Sequence, residues 1–122
     1  GEFCAQSANL IYLQIIIPGE KMSMYHSKLE SEHVDALCDA LVSVQTREEA
    51  YRLLDDLCTI SEVQAMAQRL AVAKLLRQGA TYQDIGNETG ASTATISRVN
   101  RCVSYGADGY RLILDRLEKE ER

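Results

Sequence analysis

The stretch Thr81–Val103, TYQDIGNETGASTATISRVNRCV, constrains the fold more than any other part of the chain. Thr81, followed three residues later by Asp84, starts a short helix whose inward position is Ile85. Gly90 ends that helix where the backbone needs a positive φ. Ser92 or Thr93 caps a second short helix with Ile96, Val99 and Val103 facing inward. Two helices joined by so tight a turn cross steeply, and Gly86 sits where a missing side chain lets the second pack across the first. Ile85, Gly86, Gly90, Ala91, Ile96 and Val99 fit the general helix-turn-helix pattern, while Thr89 stands where an apolar residue is usual.

This packing leaves Ser92, Thr93, Ala94, Ser97, Arg98 and Arg101 outside, with Tyr82 and Gln83 at the start of the first short helix. Short side chains let a helix sit deep in a major groove, and guanidinium groups reach phosphates or guanine edges. These eight residues are the candidate DNA-binding set. The whole chain is acidic, with 13 Lys and Arg against 18 Asp and Glu for a net charge of -5, so it is not a general polyanion binder. The charge is segregated, however. Residues 66–102 carry Arg69, Lys74, Arg77, Arg98 and Arg101 against Asp84 and Glu88, a balance of 5 - 2 = +3, whereas residues 28–65 carry 3 - 9 = -6. The competing explanation is a helical protein-interaction or dimerisation module with a vestigial helix-turn-helix. No GxSxG, Walker loop, dinucleotide-binding glycine set or HExxH occurs, so catalysis is not expected.

The rest of the chain reads as helices. With no Trp, one Phe and one Pro, and 46% hydrophobic residues over 122 positions, the composition suits an all-α domain with one core. Ser31 precedes a stripe of Val34, Leu37, Cys38, Leu41 and Val42 or Val44, opposite an acidic face of Glu30, Glu32, Asp35 and Asp39. Thr46 and Glu49 form a capping box before Ala50, Leu53, Leu54 and Leu57. Ser61 is expected to cap a third helix, with Met66, Leu70, Val72, Ala73, Leu75 and Leu76 inside and Gly79 as its stop. Its broad apolar face predicts burial on several sides. A last helix, from Gly109 onward, carries Tyr110, Leu112, Ile113, Leu114 and Leu117, and packs either on its own subunit or on a neighbour.

Residues 1–24 differ in character from the rest of the chain and read as an N-terminal extension, tag remnant or upstream segment, with residues 25–122 as the domain. Met22 or Met24 could serve as the start. The run Leu10–Ile17 is too short to span a bilayer and lacks the basic flank of a secretory signal, and Ile15–Ile17 favours a strand if ordered. No membrane association is expected. Cys4, Cys38, Cys58 and Cys102 lack zinc-ligand or disulfide-framework spacing, which points to reduced thiols in the cytoplasm. Cys38, Cys58 and Cys102 are expected to be buried beside Leu or Val, and His26 and His33 to lie at the surface. No metal site is expected.

The run Asn87–Arg98 resembles the reading head of the Trp repressor family, and the chain from about Met24 to Glu121 resembles its YerC/YecD-type relatives. The resemblance implies a six-helix subunit in an intertwined homodimer, the first three helices and the last building a shared core from which paired reading heads protrude. It further implies a transcriptional regulator, a repressor, that recognises a double-stranded DNA operator. Two-fold pairing is also favoured physically, because a second half-site supplies the contacts a lone helix-turn-helix lacks. The family's archetype binds tryptophan between an arginine of helix three and the arginine matched by Arg98, with a glycine directly after the latter. Here Val99 takes that glycine's place, Cys102 stands at a serine position, and Gln68 or Arg69 competes for the other arginine's position. No cofactor is therefore expected, free tryptophan included, and the sequence specifies no other small-molecule effector.

Overall fold

The computed structural model describes residues 25–121, and their regular structure is entirely helical. Six helices lie among the described residues: α1 Glu32–Ser43, α2 Arg47–Leu57, α3 Ile60–Arg77, α4 Tyr82–Thr89, α5 Thr93–Tyr105 and α6 Gly109–Glu121. The all-α architecture agrees with the sequence pattern. The expectations for residues 1–24, including the Ile15–Ile17 strand and Cys4, lie outside the described residues. The chain divides into two units after Val44.

In the first unit, the Ser31 hydroxyl accepts the Val34 N–H at 3.1 Å and so caps α1. Glu32 and Asp35 in the first turn complement the positive end of the helix dipole. At the other end the Val44 N–H closes on the Leu41 carbonyl. His26 and His33 are exposed as expected, His26 lying 3.3 Å from Glu30. No residue of α1 is buried, and Leu37, Leu41 and Val42 all face outward.

In the second unit, Thr46 caps α2 by accepting the Glu49 N–H at 3.1 Å. The return arm of the expected capping box reaches one residue further back, since the Glu49 carboxylate accepts the Gln45 N–H at 3.0 Å. For α3 the cap is Thr59 and not Ser61. Thr59 accepts the Glu62 N–H at 3.1 Å, and the Glu62 carboxylate accepts the Thr59 N–H at 2.8 Å, a complete capping box. Thr59 wins because Glu62 follows it by the three residues this exchange requires, while Ser61 is already inside the first turn. The Thr59 N–H and hydroxyl hold the Glu62 carboxyl below its ordinary pKa. The far end of α3 closes as expected at Gly79, whose φ is +82°. The Gly79 N–H bonds to the Leu76 carbonyl and that of Ala80 to the Leu75 carbonyl, each at 3.1 Å, which is the Schellman arrangement.

One core gathers Val72 and Ala73 of α3, Ile85 of α4, Ala91, Ile96 and Val99 of the turn and α5, and Leu114 of α6. Leu75, Leu76, Ala80, Val103 and Tyr110 pack around it. Leu114 thus packs α6 against the core of the same chain, where Arg77 binds Asp115 and Glu118. Among the described residues α3 is not covered on several sides as expected, since Met66 and Leu70 remain 40% and 36% exposed. The cysteine expectation also needs correction: Cys38 and Cys102 are exposed and Cys58 is half-buried, all as free thiols.

Candidate nucleic-acid interface

The reading head is built from local signals. The Thr81 hydroxyl accepts the Asp84 N–H at 3.1 Å and starts α4, and Ile85 anchors it in the core. Gly90 has φ +74° and donates its N–H to the Gly86 carbonyl at 2.9 Å, closing α4 in the left-handed turn expected of it. Ser92, rather than Thr93, caps α5: its hydroxyl accepts the Thr95 N–H at 3.1 Å. Ile96 and Val99 then fix α5 from beneath.

Gly86 is not required by a tight helix crossing. A Cβ built there would meet the Ala91 carbonyl oxygen at 3.5 Å, an ordinary contact, so the turn and not α5 is its nearest neighbour. Thr89, the departure from the general motif, is accommodated by its own hydroxyl. That hydroxyl donates to the Ile85 carbonyl at 2.7 Å and accepts the Ala91 N–H at 3.1 Å, so no polar group is stranded. From α3, the Gln68 side-chain amide donates to the Thr89 carbonyl at 3.1 Å. Gln68 is thereby already engaged, whereas Arg69 is half-buried and has no ion-pair partner among the described residues.

Tyr82, Gln83, Ser92, Thr93, Ala94, Arg98 and Arg101 are exposed, and Ser97 is half-buried. Ala94, Ser97 or Arg98, and Arg101 recur at helical spacing and so share one side of α5, while Ser92, Thr93 and Ala94 cluster at its start. Tyr82 and Gln83 occupy the first turn of α4. No acidic residue lies in the first turn of α5, leaving the positive end of its dipole uncompensated. Arg98 and Arg101 have no ion-pair partner among the described residues. Arg77 belongs to the same basic segment but is committed to Asp115 and Glu118, so the local excess of positive charge overstates what an anion would meet.

Val99 is only 1% exposed, with its branched side chain spent on core packing. The reading helix expected over residues 92–102 runs on to Tyr105, a residue outside the candidate set. Tyr105 is 89% exposed, one turn beyond Arg101, and lines a shallow cleft with Arg98, Arg101, Cys102 and Gly106. Its signal was available: Tyr105 lies at i+4 from Arg101 and is not part of the inward Ile96, Val99, Val103 series. Among the described residues, no group of three or more His, Cys, Asp or Glu is placed to hold a metal. Nor is any helix among them long and apolar enough to cross a membrane.

A helical chain in which a short helix and a second, partly exposed helix are joined through a left-handed glycine turn is of the helix-turn-helix class. The family model for the Trp repressor protein matches residues 32–118, and the chain belongs to that family. It is 53% identical over 98 residues to the uncharacterized protein YerC of Bacillus subtilis (strain 168), covering 80% of this chain and 94% of YerC. A crystal structure of a candidate Trp repressor from Staphylococcus aureus superposes with a TM-score of 0.71 at 52% identity, covering 75% of this chain and 91% of the other. A Trp repressor-like protein from Eubacterium eligens ATCC 27750 gives 0.72 at 48% identity, covering 76% of this chain and 96% of its own.

Proposed function

We propose that the protein is a sequence-specific double-stranded DNA-binding transcriptional regulator, a repressor, acting as a cytoplasmic homodimer. The observation that carries this is the outer side of α5, where Arg98 and Arg101 stand exposed and unpaired among the described residues beyond the small side chains of Ser92, Thr93 and Ala94. The start of α5 enters the major groove, where short side chains permit close approach. α5 has 13 residues, and at about 1.5 Å of rise per residue it is longer than the groove's width of about 12 Å. Arg101 and Tyr105 therefore lie toward the groove's edge, where phosphates are met, while Tyr82 and Gln83 approach the backbone from α4.

Dimerisation is supported by what one subunit leaves uncovered. Neither α1 nor α2 buries a residue, and Met66, Leu70, Leu112, Ile113 and Leu117 present apolar surface that a second subunit would remove from water. No small-molecule cofactor is required. Selection of bound duplexes from a random pool tests the proposal: a palindromic consensus, with affinity falling steeply as salt rises, is the expected result. Failure to enrich any duplex, with salt-independent capture of another protein, would favour the interaction-module alternative.

A further inference from the structure

We propose that Gln68 is a positioning residue for DNA reading, its side-chain amide locking the helix-turn-helix turn onto α3. This rests on the DNA-binding function proposed above. The carbonyl of Thr89 is at the end of α4, where a helix leaves its last carbonyls without backbone partners. The Gln68 amide supplies that partner at 3.1 Å in a partly buried setting. It is the one side-chain hydrogen bond from α3 to the reading head among the described residues.

Three features make this bond a lock and not a surface contact. First, Thr89 relays it in both directions, since the same residue's hydroxyl binds the Ile85 carbonyl behind it and the Ala91 N–H ahead of it. Second, the amide sits over the left-handed turn: a Cβ on Gly90 would lie 3.9 Å from Gln68 Nε2. Third, the remaining links between α3 and the reading head among the described residues are apolar, Val72 and Ala73 packing with Ile85, Ala91, Ile96 and Val99 in one core; they set how the helices cross but leave the carbonyl at the end of α4 to Gln68. Helix α4 has only eight residues, too few to be stable by itself, so its direction must be imposed from outside. Gln68 imposes it at Thr89, and Ser92, Thr93 and Ala94 come within the next five positions of the chain. A loose turn would let those groove-facing residues wander from their bases.

Gln68→Met tests this by keeping the length and removing the donor, and Gln68→Glu by placing a carboxylate against the Thr89 carbonyl. Hydrogen exchange in the full chain is expected to accelerate at the Gly90 and Ala91 amides by about two- to tenfold, the range a lost hydrogen bond commands, and more in Gln68→Glu. Because the bond is absent from the unfolded state as well, the global unfolding constant of Gln68→Met rises by no more than that factor, and Leu114 in α6 follows only this global change, whereas Gly90 and Ala91 accelerate at low denaturant, where local opening governs their exchange. Affinity for the selected duplex drops by a similar factor, with discrimination between matched and mismatched sites reduced. Unchanged exchange at Gly90 and Ala91, or acceleration there only under conditions where global unfolding governs exchange, would overturn the lock. So would unchanged affinity and discrimination in both variants. If the unmodified chain selects no duplex, the DNA-binding function fails instead, and exchange at Gly90 and Ala91 still decides whether Gln68 holds the turn.

Discussion

Arg77 at the end of α3 grips Glu118 of α6 with two hydrogen bonds, from Nε at 3.2 Å and from a terminal nitrogen at 3.1 Å. The same terminal nitrogen reaches Asp115 at 2.6 Å. The guanidinium is 23% exposed, and its carboxylate partners, Glu118 first, raise its pKa, so it stays charged at any ordinary pH. Arg77→Ala is expected to lower the thermal midpoint and speed exchange in α6, with the deficit shrinking at high salt. Arg77→Lys should recover only part of the loss, because an ammonium lacks the planar fork that serves two carboxylates. Equal midpoints for the wild type and Arg77→Ala at low salt would show that Leu114 alone holds α6.

The exposed arginines of α5 are expected to matter for DNA and not for folding. Arg101→Ala should cost about 1 to 3 kcal/mol of operator affinity if it reads a base, and a phosphate contact would instead appear as a shallower salt dependence. Circular dichroism of Arg98→Ala and Arg101→Ala should match the wild type. Ile96→Asp, which puts an unpaired charge into the core, should unfold the reading head. Undiminished affinity in both arginine variants would remove α5 from the groove.

A shared core has a thermodynamic signature. If α1, α2 and α3 complete their burial against a second subunit, the unfolding midpoint must climb with protein concentration, because association is part of folding. Sedimentation giving a stable species at the single-chain mass of 13.6 kDa under micromolar conditions would refute the homodimer.

The capping box of α3 makes a signed prediction about acid. Because Glu62 is held below its ordinary value of 4.5, its contribution is fully present above that value and is lost as pH falls through the lower folded value. Glu62→Gln should therefore be less stable than the wild type at neutral pH, and the two should converge on acidification. Thr59→Ala removes the other arm of the box and is expected to cost about 1 kcal/mol. A Glu62→Gln deficit that is constant from neutral to acid pH would mean that the charge contributes nothing.

Free L-tryptophan is not expected to be required for operator binding. Val99 fills space within the core where the archetype has a glycine, and Gln68, one of the two candidates for the second arginine's position, is a neutral amide already bonded to Thr89. Titration calorimetry should detect no saturable tryptophan binding at micromolar strength, and duplex affinity should be the same with and without the amino acid. Saturable binding accompanied by a matching gain in affinity would contradict this.

What could be read from the sequence was governed by range. Thr81, Gly90 and Ser92 act within a few residues of themselves, and the inward positions of Ile85, Ile96 and Val99 follow the helical period, so each falls where the local pattern places it. The cap of α3 is set by the Thr59–Glu62 exchange, and a hydroxyl two residues further on, Ser61, offers the same local pattern one half-turn too late. The cysteines were misplaced because their apolar neighbours mark a helix face without saying what covers it. Neither the Gln68–Thr89 bond nor the Arg77–Glu118 pair was legible, since they join residues 21 and 41 positions apart through tertiary packing. The eight proposed DNA contacts are residues that the helical pattern leaves outside the core. That logic identifies an outer side but ranks none of its members, and it overlooked Tyr105.

The solitary state of Arg98 and Arg101 bears on speed as much as strength. A guanidinium that must abandon an internal carboxylate before meeting a phosphate carries that rupture into its activation barrier; among the described residues these two have nothing to abandon. Encounter with a polyanion can then proceed without a rearrangement step at these two side chains, and differences between operators would be expressed in how long the complex lasts more than in how quickly it forms.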